Sequence, residues 1–201
     1  AAVVWQERHV SLKDSVVIAF INTTGKFKTT QKVVASSSWN MSSTVSSNRN
    51  GTYLVVRYDS TSLNISGKFY NTSGTQLGSD VILGSVPSGY LLPYSIDIDY
   101  NSTDAKFLVS WADISTNLFS RTLQTDGTLG TLNDYSTISG VINPAIAYND
   151  LTNQFLIVYD DFAGNIGGFL TDNTGVMIGS PLTFGSIPGI QAEPDVQLNT
   201  D

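Results

Sequence analysis

The chain has 201 residues, 10 Lys and Arg against 17 Asp and Glu, a formal net charge of −7 and no cysteine. That balance, with a pI near 4.4, argues against nucleic acid or an anionic membrane surface as a partner, because both require a basic face. No apolar run approaches the ~18 residues of a membrane-spanning helix, and the length suits one domain with a substantial core.

Taken in order, residues 1–34 hold the apolar runs AAVVW and DSVVIAFI and the mixed run KTTQKVV, which read as three strands. The hairpin between the first two carries Glu7, Arg8, His9, Lys13 and Asp14 and is expected to be a solvated tip. Residues 35–43 (ASSSWNMSS) form a Ser-rich connector whose Trp39 is expected to pack between neighbouring sheets. Further strand blocks follow at 44–83, 93–138 and 144–184. The last is the clearest: apolar runs at 145–148, 155–159, 166–170 and 176–184 are separated by Asn, Asp, Gly and Thr clusters that favour chain reversal. Its run FLIVY is apolar at every position, so both faces of that strand should be covered. Residues 188–193 then lead to a final strand-like segment, PDVQLN, at 194–199.

These blocks are copies of one another. Trp5, Tyr58, Trp111 and Tyr159 each close a second strand, at spacings of 53, 53 and 48 residues. Turn glycines Gly25, Gly74, Gly127 and Gly175 recur at 49, 53 and 48. Each glycine is expected at positive φ, with Asn22, Asn71, Gln124 or Asp172 three residues earlier bonding the turn backbone. Pro93, Pro144 and Pro194, spaced 51 and 50, are expected to open first strands. A period near 50 residues with four short strands per copy indicates propeller blades. The sequence starts in a second strand and finishes with a first one, so residues 194–199 are expected to complete the first blade. The predicted fold is therefore an all-β, four-bladed propeller, a single domain with blades at 1–34 plus 194–199, 44–83, 93–138 and 144–184. The repeat PAIAYN…FLIVYDD…GNIGGFLTDNTGVMIGSPLTF resembles the repeats of secreted microbial β-propellers, a likeness that implies a blade and names no activity. With hemopexin-type rings only the blade count is shared, since the cysteine pair that closes those rings is missing. No leader-like segment opens the sequence, which fits the mature form of a secreted protein.

Catalytic chemistry has little to stand on. His9 is the only histidine, a zinc site would need mostly carboxylates, and no Gly-rich phosphate loop is present. The inner strands offer Asp97, Asp99 and Asp195, which are expected to line or cap a narrow channel, where they could hold a hard cation such as calcium with backbone carbonyls. Glycoside hydrolysis by the same carboxylates is less favoured, because the inner strands at 45–48 and 145–149 contribute none. An acidic residue follows each second-strand aromatic: Glu7, Asp59, Asp113, and the pair Asp160 and Asp161. Capping of the next hairpin is the expected role. The sharper alternative is a sugar pocket per blade with Trp5, Tyr58, Trp111 and Tyr159 as platforms, although such strand-ending aromatics usually pack in a core.

Six Asn-x-Ser/Thr sequons occur, at Asn22, Asn40, Asn50, Asn64, Asn71 and Asn101, and none follows residue 101. Glycans there would coat the first half and leave the second bare. The expectation is a non-enzymatic, extracellular structural glycoprotein that associates with copies of itself or with other surface proteins through its bare side, with filaments by strand donation as one form of assembly. A carbohydrate-binding, lectin-like propeller is the alternative, and a glycoside hydrolase the third reading.

Overall fold

The structure, a computed structural model, describes all residues except 9–13, 29–30, 38–41, 60, 87–94, 114, 162, 186–190 and 199–201. Expectations for His9, Lys13, Trp39, Asn40 and Pro93 lie outside the described residues. Those described contain strands and no helix. Sheet 1 comprises β1 (Ala2–Arg8), β2 (Asp14–Phe20) and β3 (Lys32–Ser37); sheet 2, β4 (Ser43–Ser47), β5 (Thr52–Asp59), β6 (Asn64–Asn71) and β7 (Gln76–Ser85). Sheet 3 holds β8 (Ile96–Asn101), β9 (Lys106–Ala112), β10 (Leu118–Gln124) and β11 (Leu129–Asp134); sheet 4, β12 (Val141–Asn149), β13 (Gln154–Asp161), β14 (Ile166–Thr171) and β15 (Met177–Gly185). Every sheet is antiparallel, with its strands in sequence order. This is the four-blade pattern that the period predicts. The chain divides into two compact units, residues 1–92 with sheets 1 and 2, and residues 93–201 with sheets 3 and 4.

The strands with long apolar runs are buried almost throughout, and within FLIVY of β13 only Leu156 is half-buried. All of β2 is buried, and β9 is buried from Phe107 to Ala112. In the first unit Val16, Ile18 and Phe20 of sheet 1 form one cluster with Val55 and Tyr70 of sheet 2. In the second, Leu108 and Leu118 of sheet 3 join Ile146, Phe155 and Phe169 of sheet 4. Each such side chain contributes on the order of 1.5–3 kcal/mol by leaving water, so neighbouring sheets hold each other through their faces.

The turn chemistry follows the repeat. Gly25, Gly74, Gly127 and Gly175 all have positive φ, at 76°, 73°, 90° and 90°. Asn22, Asn71 and Asp172 accept the expected backbone N–H groups. Gln124 does not; the shorter Asp126 takes over, accepting the Thr128 N–H at 2.8 Å.

One expectation needs correction. Pro144 does not open β12, which begins at Val141; it sits in a bulge where the register slips between Ile142 and Ala145. Proline has no N–H to give a ladder, and Asn143 beside it turns left-handed at φ 45°, so the strand steps over the pair and continues. Among the described residues sheet 1 has three strands, and residues 191–198 carry no strand assignment. Their polar groups are engaged elsewhere in the second unit. The Gln191 N–H donates to Gly164 O at 3.2 Å, the Glu193 N–H to Asp160 Oδ2 at 3.2 Å, and the Val196 N–H to Asp195 Oδ1 at 2.8 Å. Pro194 supplies no donor at all.

Candidate functional site

A cleft of about 440 Å³ opens in the first unit, lined by Ala1, Phe20, Ile21, Asn22, Thr23, Lys28, Tyr53 and Thr72. Sheet packing builds it. Phe20 ends β2 and is 1% exposed, so its ring is floor, and Tyr53 of β5 stands edge-on to it at 5.1 Å and 78°. Gly74 permits this approach, since a Cβ there would meet the Phe20 ring at 3.0 Å. The rim is polar and comes from the equivalent turns of the two sheets. Asn22 is fixed because its Oδ1 accepts Thr24 N–H at 2.9 Å, Thr24 Oγ1–H at 2.7 Å and Lys26 N–H at 3.0 Å. Lys32 of β3 ties sheet 1 to the turn of sheet 2 by donating to Gly74 O at 2.5 Å. The cleft thus offers an aromatic wall, hydroxyls from Thr23 and Thr72, an amide and the Lys28 ammonium, and among the described residues no carboxylate lines it.

The inner-strand acids serve the second unit's own packing. Asp97 Oδ2 accepts the Ile146 N–H at 2.8 Å and Asp99 Oδ2 the Tyr148 N–H at 2.8 Å, so two carboxylates of β8 lace onto the exposed donors of β12. Burial pushes Asp97 up to about 6, against the pull of the Ile146 and Ile98 N–H groups, and the nearby Asp99 and Asp195 push it the same way. The three residues chosen for a channel cation therefore share one neighbourhood. Among the described residues, however, no group of three or more His, Cys, Asp or Glu is arranged to hold a metal ion.

Three of the recurrent acids cap hairpins, while Glu7 accepts the Trp5 indole N–H and Asp160 accepts from Asn143 and Glu193. Asp59 Oδ1 accepts the Thr61 N–H at 2.9 Å, Asp113 Oδ1 the Asn117 N–H at 2.9 Å and Asp161 Oδ1 the Asn165 N–H at 2.9 Å. Their aromatic neighbours Tyr58, Trp111 and Tyr159 are 1%, 1% and 7% exposed, which leaves no platform for a sugar in those blades. Trp5 is half-buried, with its Nε1–H on Glu7 Oε1 at 3.1 Å.

The sequons are not equivalent. Asn22 and Asn50 are exposed, and Asn64 and Asn71 half-buried. Asn71 repeats the Asn22 arrangement, its Oδ1 accepting Ser73 N–H at 3.0 Å, Ser73 Oγ–H at 2.7 Å and Thr75 N–H at 2.9 Å. None of those bonds uses Nδ2, the atom a glycan needs. Asn101 is the opposite case: it is 0% exposed, and its Nδ2 donates to Asn153 Oδ1 at 2.9 Å and Asp104 Oδ2 at 3.2 Å. With both amide hydrogens engaged inside the fold, this position has no room for a sugar.

Charge divides with the two units. Eight of the 10 Lys and Arg, but only four of the 17 Asp and Glu, lie in residues 1–92, giving the first unit a formal +4 and the second −11. The net value of −7 conceals this, and the cleft belongs to the basic half. Sequence reasoning missed both features. Counting charge by half would have found the second; the first depends on two turns 49 residues apart meeting.

No protein-family model and no curated protein matches the sequence. By structure, the chain is similar to an arginine-to-alanine triple mutant of AofleA from Arthrobotrys oligospora, with a TM-score of 0.58 at 10% identity; the match covers 98% of this chain and 57% of that one. AofleA itself aligns with a TM-score of 0.38 at 10% identity over 98% of this chain and 74% of that one. An uncharacterized protein from Listeria monocytogenes aligns at 0.38 and 9% over 90% and 63%. The chain spans little more than half the length of the first of these proteins, and what it shares with that protein is fold: an all-β chain of tandem antiparallel sheets of the propeller type.

Proposed function

We propose that the chain is a non-enzymatic, extracellular carbohydrate-binding β-propeller domain, with the cleft between sheets 1 and 2 as its sugar seat. The observation that carries this reading is the lining itself. A sugar presents an apolar C–H face to an aromatic ring and hydroxyls to amides and hydroxyls, and Tyr53, Asn22, Thr23 and Thr72 supply both kinds of partner in one concavity. Lys28 and the basic character of the unit favour saccharides that bear a carboxylate or sulfate. With no carboxylate in the lining, the cleft lacks the acid pair that glycoside hydrolysis uses, and the reading requires no cofactor.

The test is a glycan array of neutral and acidic oligosaccharides, probed with protein made in a host that does not glycosylate it. Saturable binding that Tyr53→Ala abolishes and Lys28→Ala weakens for acidic sugars alone is expected. An array without hits refutes the proposal.

A further inference from the structure

The turn between β4 and β5 leaves one asparagine poised to react with its own backbone. It holds the single Asn-Gly pair of the sequence, Asn50–Gly51, and the groups around that pair are tied down. Asn48 Oδ1 accepts the Asn50 N–H and the Thr52 N–H, both at 2.9 Å. The Asn48 N–H donates to Thr52 O at 2.9 Å, and the Arg49 N–H to Ser47 Oγ at 3.0 Å. Two groups, adjacent in the chain, are passed over by these bonds: the Asn50 carboxamide and the Gly51 N–H. Asn50 is exposed, so its carboxamide faces water. Gly51, at φ 90°, carries no Cβ to shield its nitrogen. The equivalent glycine turns differ on both counts. Asn22 and Asn71 each commit Oδ1 to three donors, and each precedes a threonine, whose branched side chain crowds the following nitrogen.

We propose that Asn50 is a site of spontaneous backbone modification, in which the Gly51 nitrogen attacks Asn50 Cγ. A bond forms between those two atoms, the Cγ–Nδ2 bond breaks, and Nδ2 leaves as ammonia with the proton given up by the Gly51 nitrogen. The product is a five-membered imide. Water then opens it on one side or the other of the shared nitrogen. Rupture of the bond to Cγ gives Asp at position 50; rupture of the bond to the main-chain carbonyl carbon gives isoaspartate, with the chain running through Cβ and Cγ. Isoaspartate inserts an extra main-chain carbon between the two N–H groups that Asn48 Oδ1 holds, so the turn cannot keep both bonds. The departing Nδ2 is also the atom a glycan needs at the sequon Asn50-Gly51-Thr52. Sugar on that atom and loss of that atom exclude each other: a glycan protects the turn, and a converted turn accepts no glycan. None of this depends on the sugar cleft.

Folded protein from a host that does not glycosylate it is held for weeks at mildly alkaline pH, where the attacking nitrogen loses its proton more readily, and then mapped by mass. Cleavage after Arg49 and Arg57 isolates residues 50–57. Steady loss of that peptide into two products of equal mass, Asp and isoaspartate, is expected, with Asn50 converting before every other asparagine. Gly51→Ala, whose added Cβ shields the nitrogen and whose folding a thermal melt checks, should slow the loss severalfold. In protein from a glycosylating host, read as intact glycopeptides because enzymatic release of sugar leaves Asp behind, copies that bear sugar at Asn50 should persist unconverted. An Asn50 that stays intact or outlasts Asn22 and Asn71, a Gly51→Ala protein that converts as fast as the wild type, or glycopeptides that convert as fast as bare copies would each overturn the proposal.

Discussion

Replacing Asp97 with Asn should stabilise the protein at neutral pH and erase part of its pH dependence. The folded chain holds Asp97 at about 6, against 3.8 for the unperturbed group. Because the folded value is raised, the native state binds a proton more readily than the unfolded one, and stability falls as pH rises from about 4 to about 6, then levels off. A shift of about two units corresponds to roughly 3 kcal/mol at most, at 1.36 kcal/mol per unit. Asn keeps an oxygen to accept the Ile146 N–H, now made at 2.8 Å, and carries no charge to desolvate. Urea unfolding followed by tryptophan fluorescence at pH 4 and pH 7.5 provides the measurement. The variant should match the wild type at the lower pH and exceed it by up to about 3 kcal/mol at the higher, or roughly 6–10 °C in Tm for a chain of this size. Equal stabilities at pH 7.5, or a wild type with no slope between pH 4 and pH 6, would refute the reasoning. Calcium added to the same samples separates the cation reading: a site held by Asp97, Asp99 and Asp195 would give calcium-dependent stability that the variant loses.

Other substitutions test the packing. Gly175→Ala must accommodate φ 90° and a Cβ 2.5 Å from Asn133 Nδ2, while Gly25→Ala at φ 76° meets nothing within 4 Å; thermal melts should show about 1 kcal/mol lost for Gly25 and about 3 kcal/mol for Gly175. Asp80 is drawn up by partial burial, but bonds from Lys68 and Arg57 outweigh this and hold it low. Asp80→Asn should cost about 2–3 kcal/mol by chemical denaturation, since Arg57 is 7% exposed and its Nε and Nη1 already lack partners. Asn101→Ala should cost about 2–3 kcal/mol for its lost buried hydrogen bonds. In protein from a glycosylating host, peptide mass spectrometry should find sugar at the exposed Asn50 and none at Asn101; an occupied Asn101 would contradict its burial.

The repeat was legible because its markers are local. A glycine at positive φ, an Asx side chain two residues ahead of the N–H it accepts, and an apolar middle strand each act within a few residues and leave the same trace in every copy. The sheets that follow from them were foreseen down to the polar inner strand β4. Features set by competition between partners were not. Pro144 promised a strand start, but β12 gains ladder bonds on both sides of it and bulges past. Asn101 reads as a sequon because a sequon is three residues long, whereas its burial depends on Asn153, 52 residues away. The cleft rim suffered the same limit, with Asn22 and Thr72 each looking like an ordinary turn.

The matching turns of the two halves are closed by different chemistry. In the first unit Asn22 and Asn71 hold them with amides, which no proton can displace. In the second, carboxylates do the work. Asp126 is kept acidic by the N–H and hydroxyl of Thr128, and Asp172, despite partial burial, by the same groups of Thr174 and by the Val176 N–H. Carboxylates held low support the fold above pH 4 and release it below. Acidification therefore unfastens these loops in the second unit, while their counterparts in the first stay closed.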